Sequence, residues 1–538
     1  MNETDRIGTH SEEEDAAARG EFRKDRDRIF YSSEFERLEG VTQVATATSA
    51  AIRNRLTHSY RVEQIARSLA AKFRQSLDID EDVVMAAALA HDIGHAPFGH
   101  TGEEALQKAV TCQKHREQFV HDFPQRLQSH KDLTEKGERD SECNPPDGCI
   151  LPDGFEGNAQ SFRILTLLGT NHPTSKNHGM NLTRRVLRAS LKYPWRRGAE
   201  KHKTNKWGVY DSDIETYRWL IGGGDIKEPY RQNLESSIMD IADDIAYAVH
   251  DLEDFYKANA IPFSEIYVSE ESTTFLKIMD YVRGESGSEG NAPPLLPSKQ
   301  IDRLEREYRD FCEWRITEDG SREEPDDIWW LTEGEGKFPI LAKLVSVLMI
   351  LPSRRFEDSV QGRQELSYWR GNLISLLVDS VKVSGPGGQF VEFDEKMKPT
   401  VEFLKQLTWY FVIDDPDLAA IRLGQEELVI RCFRTLFNQS SAAWLKAPEK
   451  DLSGWLPIPS HKLRKRLPER LADYVELGRA QSESAKEDPR DGEYIYSPRQ
   501  IVARAVVDFI CSLTDEEMYS YSLQVGGSPT HSRPRSLA

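Results

Sequence analysis

His91-Asp92-Ile93-Gly94-His95-Ala96-Pro97-Phe98-Gly99-His100-Thr101-Gly102-Glu103 follows an alanine-rich apolar run over residues 81–90. Three of the fourteen histidines in the chain fall within ten residues here. A His-Asp pair at the end of an apolar helix puts an imidazole and a carboxylate within reach of one cation. That donor pair suits Mn, Fe, Ni, Zn or Mg. Gly94 and Pro97 predict a break. A second helix is expected to begin near Thr101, with Thr101 or Gly102 at its cap and Glu103 and Glu104 in its first turn, where carboxylates suit the helix dipole.

Two ligands do not hold a metal, so partners are sought on either side. Upstream, Val62, Ile65, Ala66, Leu69 and Phe73 recur at helical spacing over residues 60–73. His58 stands at the start of that helix, among Arg53, Arg55, Arg61 and Arg67. Downstream, residues 234–255 form an amphipathic pattern without Gly or Pro. Asp243, Tyr247 and Asp251 lie at i, i+4 and i+8, so one helix face is expected to carry all three. Such groups are rarely buried unless paired or bound. Taken singly, a His-Asp dipeptide means little, His58 reads as a structural histidine and an acidic stripe as a solvated face. The ordered set His58, His91–Asp92, Asp243, each at a helix position, points instead to a metal site.

The remaining chain reads as all-α, with few strand signals and no internal repeat. Residues 1–20 and 525–538 look like loose tails. Residues 21–283 form the presumed metal-dependent core, with a polar insertion at 112–154. A linker-like stretch covers 284–300, and a helical C-terminal region 301–524. Hydrophobic residues make up 38% of the 538, ample for a buried interior, and charged residues 30%. Six cysteines without a CxxC pair suggest neither a zinc knuckle nor a thioredoxin-type site and point to reduced, mostly buried thiols. A net charge of −19 argues against a generic nucleic-acid coat. Basic clusters at 192–206 and 462–470 leave room for an anionic substrate, although the second reads as a solvated loop. No apolar run is long enough to cross a bilayer. The polar, acidic first residues lack the pattern of a secretory signal, so a cytoplasmic protein is expected.

From about Arg23 to Leu513 the chain resembles the HD-domain deoxynucleoside triphosphate triphosphohydrolases, typified by bacterial dGTPase. The resemblance rests on DRDRIFYSSEFERLEGVTQV (25–44), RNRLTHSYRVEQIAR (53–67), HDIGHAPFGHTGE (91–103), FEGNAQSFRIL (155–165), LKYPW (191–195) and ADDIAYAVHDLED (242–254), in that order. Other HD hydrolases share only the metal ligands. The insertions at 112–154 and 284–330 depart from the compact family pattern.

The resemblance implies hydrolysis of a dNTP, with dGTP favoured, to the deoxynucleoside and tripolyphosphate. It implies one divalent ion, Mn or Mg first and Fe, Ni, Co or Zn as alternatives, held by His58, His91, Asp92 and Asp243. His100 and Glu103 match the catalytic histidine and its carboxylate. Arg55, His95, Asn158, Lys192, Tyr193 and Lys206 match positions that meet the triphosphate. Gln43 and Val44 match the segment beside the sugar, and Tyr247 and Asp251 match residues near sugar and phosphate. It further implies a homo-oligomer, with a hexamer as one form, and weak single-stranded DNA binding in some members. The acidic balance argues against tight DNA binding. The competing expectations are an HD nucleotidase or phosphatase on another nucleotide, and a non-catalytic regulator that senses dNTPs or single-stranded DNA.

Overall fold

A computed structural model describes residues 2–8, 20–43, 54–111, 149–170, 178–199, 206–222, 231–263, 277–278, 303–304, 306–310, 338–352, 355–408, 410–411, 416–445, 455–456, 460–485 and 496–525. Val44, most of the 112–154 insertion, the 284–300 stretch and the 525–538 tail beyond Val525 lie outside them.

The architecture is all-α and is built around a central layer of three helices. Asn54 caps the first, Arg55–Phe73, by accepting from the Thr57 amide at 3.0 Å. Asp80 caps the second, Glu81–Ala90, and Asn233 the third, Leu234–Ala246. These short polar side chains satisfy amides that a helix start leaves without partners. All eight residues from Val83 to Ala90 are buried. An apolar helix of this kind, without a polar face, belongs in an interior. It packs between Arg55–Phe73, Leu234–Ala246 and Glu21–Phe30.

Among the described residues two large hydrophobic clusters, with a small third around Trp207, form the interior. The first joins this layer to residues of helices Pro339–Leu348, Val360–Asp379 and Met397–Thr408. The second surrounds helix His100–Val110 with Pro416–Trp444, Glu469–Ala485 and Pro498–Ile510. The C-terminal half is therefore shared between two cores. Ile93 belongs to the first cluster and Ala96 to the second, so the turn after His91–Asp92 lies at their junction.

Three departures from the expected pattern have local causes. Strands β1 (Val381–Ser384) and β2 (Phe390–Phe393) form an antiparallel hairpin, with Val381 opposite Phe393 and Ser384 opposite Phe390. Gly385, Gly387 and Gly388 supply its left-handed turn, and Ser237 anchors it by accepting from the Val391 amide at 2.9 Å. Residues 149–154, expected at the end of the insertion, are packed. Leu151 is buried in the second cluster, and buried Asp153 accepts from Arg504 at 3.0 Å. Residues 2–8 of the expected tail are anchored too, because buried Arg6 donates to Asp25 and to the Asn181 carbonyl.

Candidate metal and substrate site

His58 sits in the first turn of Arg55–Phe73, and His91 is the cap residue that ends Glu81–Ala90. Asp243 lies near the end of Leu234–Ala246. The packing of these three helices converges their side chains. His58 Nε2 is 3.0 Å from Asp243 Oδ1, and His91 Nε2 is 3.6 Å from the same oxygen. One donor atom from each of the three lies within 4.8 Å of the others, a spacing one cation can span. The His91 Nδ1 atom is 2.7 Å from the Ala88 carbonyl, which fixes the ring. Its Nε2 is buried, faces the cluster and has no hydrogen-bond partner. A buried, unpartnered imidazole nitrogen between a second imidazole and a carboxylate fits a divalent ion of borderline softness.

The fourth expected ligand, Asp92, stands beside this cluster. Its Oδ1 is 3.4 Å from His91 Nε2 and 3.1 Å from His95 Nδ1, while Oδ2 accepts from Arg55 Nη1 at 2.7 Å. Arg55, expected to meet the triphosphate, is thus buried against Asp92 and also donates to the Gln43 carbonyl at 3.3 Å.

The charges at this centre are tightly matched. Burial works against ionised Asp92, but His91, His95 and Arg55 outweigh it and hold the carboxyl well below its ordinary range. Burial likewise opposes ionised Asp243, and Lys192 with the two histidines overcomes it. Burial disfavours protonated His91, but the Asp92 and Asp243 carboxylates raise its pKa above the usual imidazole value. His95 goes the other way: burial and the Arg55 charge lower it to about 4.

Lys192, expected to meet the triphosphate, pairs with the carboxylate end of the cluster. Its ammonium lies 2.8 Å from both Asp240 Oδ1 and Asp243 Oδ2. Burial opposes its charge, yet these carboxylates raise its pKa well above normal. Tyr193 is half-buried beside Trp195, and burial raises its hydroxyl pKa. Gln43 is buried.

The face expected for Asp243, Tyr247 and Asp251 is not one continuous α-helical face. A π-turn, Tyr247–Asp251, follows Ala246 before helix Leu252–Lys257 resumes. Asp243 and Tyr247 are half-buried, whereas Asp251 is buried. Such wide turns inside helices are frequent at functional sites. A second, Ile164–Leu168, follows helix Gly157–Arg163.

On the opposite side of the cluster, helix His100–Val110 begins one residue before the expected position. Its cap is Gly99, at φ 57°, rather than Thr101 or Gly102. Phe98 precedes it at φ 65°, a left-handed conformation uncommon for a side chain of its bulk. This start puts His100 and Glu103 one turn apart, with His100 Nδ1 3.4 Å from Glu103 Oε2. Glu103 Oε1 is also 3.5 Å from His95 Nε2. Burial disfavours ionised Glu103, but the surrounding histidines and Lys206 hold its carboxyl well below the usual range.

Glu156 is a functional candidate that spacing did not suggest. It caps Gly157–Arg163 by accepting from the Asn158 amide at 2.6 Å. It also accepts from the Asn158 side chain at 2.9 Å and from Lys206 at 3.1 Å. It therefore joins Lys206 and Asn158, two of the expected phosphate contacts. Burial raises its pKa, and Lys206 opposes the rise only in part. Gly157 allows Glu103 to approach, since a Cβ there would lie within 2.3 Å of Glu103 Oε1. The available signal was the Glu-Gly-Asn start of an apolar helix, a capping pattern.

A family profile described as HD domain matches residues 55–139. The chain is 36% identical over 304 residues to a deoxyguanosinetriphosphate triphosphohydrolase-like protein of Bifidobacterium longum, covering 54% of this chain and 52% of the relative. It is 39% identical over 249 residues to a protein of the same description from Streptomyces coelicolor, covering 45% and 48%. A third, from Synechocystis sp., is 32% identical over 328 residues, covering 56% of this chain and 68% of the relative. The first two alignments span about half the length of those relatives.

Proposed function

The chain belongs to the HD-domain family of deoxyguanosinetriphosphate triphosphohydrolase-like proteins, and from that premise we propose that it hydrolyses a deoxynucleoside triphosphate, dGTP by preference, at the α-phosphorus. The observation that carries this reading is the cluster of His58, His91 and Asp243 donors, with an unpartnered buried His91 Nε2, beside the His100–Glu103 pair. His58, His91, Asp92 and Asp243 would hold the divalent ion, Mn or Mg first. When bound, such an ion supplies Lewis acidity at a phosphoryl oxygen and lowers the pKa of water.

The side chains do the rest. In the reaction a water oxygen bonds to the α-phosphorus and the bond from phosphorus to the 5′-oxygen breaks. That oxygen is a poor leaving group and needs a proton. Protonated His100 would deliver it as general acid. Glu103 Oε2, 3.4 Å from Nδ1, would orient the imidazole. Lys192, Lys206 and Arg55 supply positive charge for a triphosphate, assisted by Asn158, His95 and Tyr193. Gln43 and Tyr247 would face the sugar and exclude a 2′-hydroxyl by packing, with Asp251 near sugar and phosphate.

Incubation of the purified protein with each of the four dNTPs, with Mn or Mg, tests the reading by product analysis. Deoxynucleoside and tripolyphosphate are expected, fastest from dGTP. Stepwise orthophosphate release would assign the site to a different nucleotide phosphatase. Binding without turnover would assign it to a sensor. A homo-oligomer is part of the proposal, and light scattering that showed a monomer throughout would remove it.

A further inference from the structure

The start of the C-terminal helix reaches the turn that sets His100. Thr514 and Glu517 form a reciprocal cap: the Thr514 amide donates to Glu517 Oε2 at 2.9 Å and the Glu517 amide to Thr514 Oγ1 at 3.2 Å. This cap fixes the first residue of helix Asp515–Val525. The Asp515 carboxylate then spans two segments of the candidate site. Oδ1 accepts from the Phe98 amide at 2.7 Å. Oδ2 accepts from the Thr42 amide at 3.0 Å and from its hydroxyl at 2.5 Å.

Both segments need holding. Phe98 and Gly99 have positive φ, and a side chain at Gly99 would meet the Thr42 and Gln43 carbonyls at 3.2 and 3.4 Å. A left-handed non-glycine residue persists only where its surroundings over-determine it. Packing supplies part of that support: Ala96 is buried in the second cluster and Phe98 packs against it. Arg37 donates to the carbonyls of Leu513 at 2.8 Å and His95 at 2.7 Å. Hydrogen bonds therefore tie the turn to the 513–515 elbow in addition to this packing.

We infer that Asp515 is a positioning residue for the reaction: its carboxylate locks the Phe98–Gly99 turn that orients His100 to the Thr42–Gln43 segment beside the sugar. The catalytic half of this inference rests on the function proposed above, and the structural half does not. Residues 42 and 515 are 473 positions apart, so deleting this contact loosens the site without touching a metal donor.

Hydrogen–deuterium exchange and kinetics on the full chain test both halves. In Asp515→Ala, amides of 96–103 should exchange roughly tenfold faster or more, while those of 81–90 stay unchanged. The kcat for dGTP should fall on the order of 10- to 100-fold, as for a misplacement remote from the chemistry, with Mn content unchanged. In a His100→Ala background the same change should cost less than about twofold, because the residue it positions is gone. Asp515→Asn keeps the volume and one acceptor, and should show an intermediate effect even if the alanine variant folds poorly. Unchanged exchange at 96–103 would overturn the clamp. An equal loss of kcat in both backgrounds would overturn its action through His100. If the wild-type protein releases no tripolyphosphate, the proposed function fails while the exchange experiment still decides the clamp.

Discussion

The two sides of the candidate site are built differently. On the metal side, His58 and His91 ride on or directly end capped helices, with side chains only 2% and 3% exposed. On the side proposed for proton transfer and phosphate binding, His100 and Lys206 are 44% and 48% exposed. Their supports are turns and distant partners: Asp515 behind the turn before His100, and Glu156 behind Lys206. The proposed metal side is thus set by the same packing that makes the core. The other side depends on hydrogen bonds between segments far apart in the chain, and it is where substrate-dependent adjustment costs least.

If that division holds, removing a metal donor should abolish function without loosening the substrate side. His91→Ala is the cleaner choice over a change at Asp92. Loss of the Asp92 carboxylate would strand the buried Arg55 guanidinium, at a cost of about 3–5 kcal/mol in stability. For His91→Ala we expect turnover below detection and loss of bound Mn, read by metal analysis and tripolyphosphate release. Wild-type metal content in this variant would move the metal centre elsewhere.

The same division explains what could be read from sequence. The all-α class and the metal-side helices were legible because burial imposes a 3.6-residue period on local sequence, as in Val62 to Phe73. The His-Asp turn was legible because its residue types are chemically rare together. The π-turn Tyr247–Asp251 was not, since the apolar pattern runs through it without Gly or Pro. The left-handed Phe98 carries no signal in its residue type, so the helix start near His100 was placed one residue late. Asp515 was invisible for another reason: its partners are Thr42 and Phe98, and no local pattern records a contact over such a separation. The hairpin did leave a mark in its Gly-Pro-Gly-Gly run, residues 385–388, between two short alternating segments.

A smaller loss is expected when the proton-transfer side alone is cut. His100→Ala should lower kcat roughly 10²- to 10⁴-fold, the range for one general acid. Metal content and dGTP binding should be retained, because His100 contributes no atom to the donor cluster. Equilibrium binding of dGTP measured beside single-turnover kinetics separates these effects. Retention of nearly full activity would remove His100 from the mechanism.

Lys192 is the position where the two sides meet, and so gives the finest distinction. Its ammonium neutralises Asp243 and Asp240 at 2.8 Å each, in the place where a second positive charge would otherwise be wanted. A lysine that serves the metal side would be needed to hold Asp243 in place. A lysine that serves the phosphate side competes with the ion for Asp243 and turns to substrate when the ion binds. Lys192→Met preserves length and packing while removing the charge. On the second view, Mn should bind as tightly as in the wild type or more tightly, because Asp243 has lost a competing cation. The KM for dGTP should rise about tenfold, the size of one lost charge-assisted hydrogen bond. Titration calorimetry with Mn and steady-state kinetics give the two numbers. Weaker Mn binding would place Lys192 with the helix-packed half of the site and move the boundary between the halves past it.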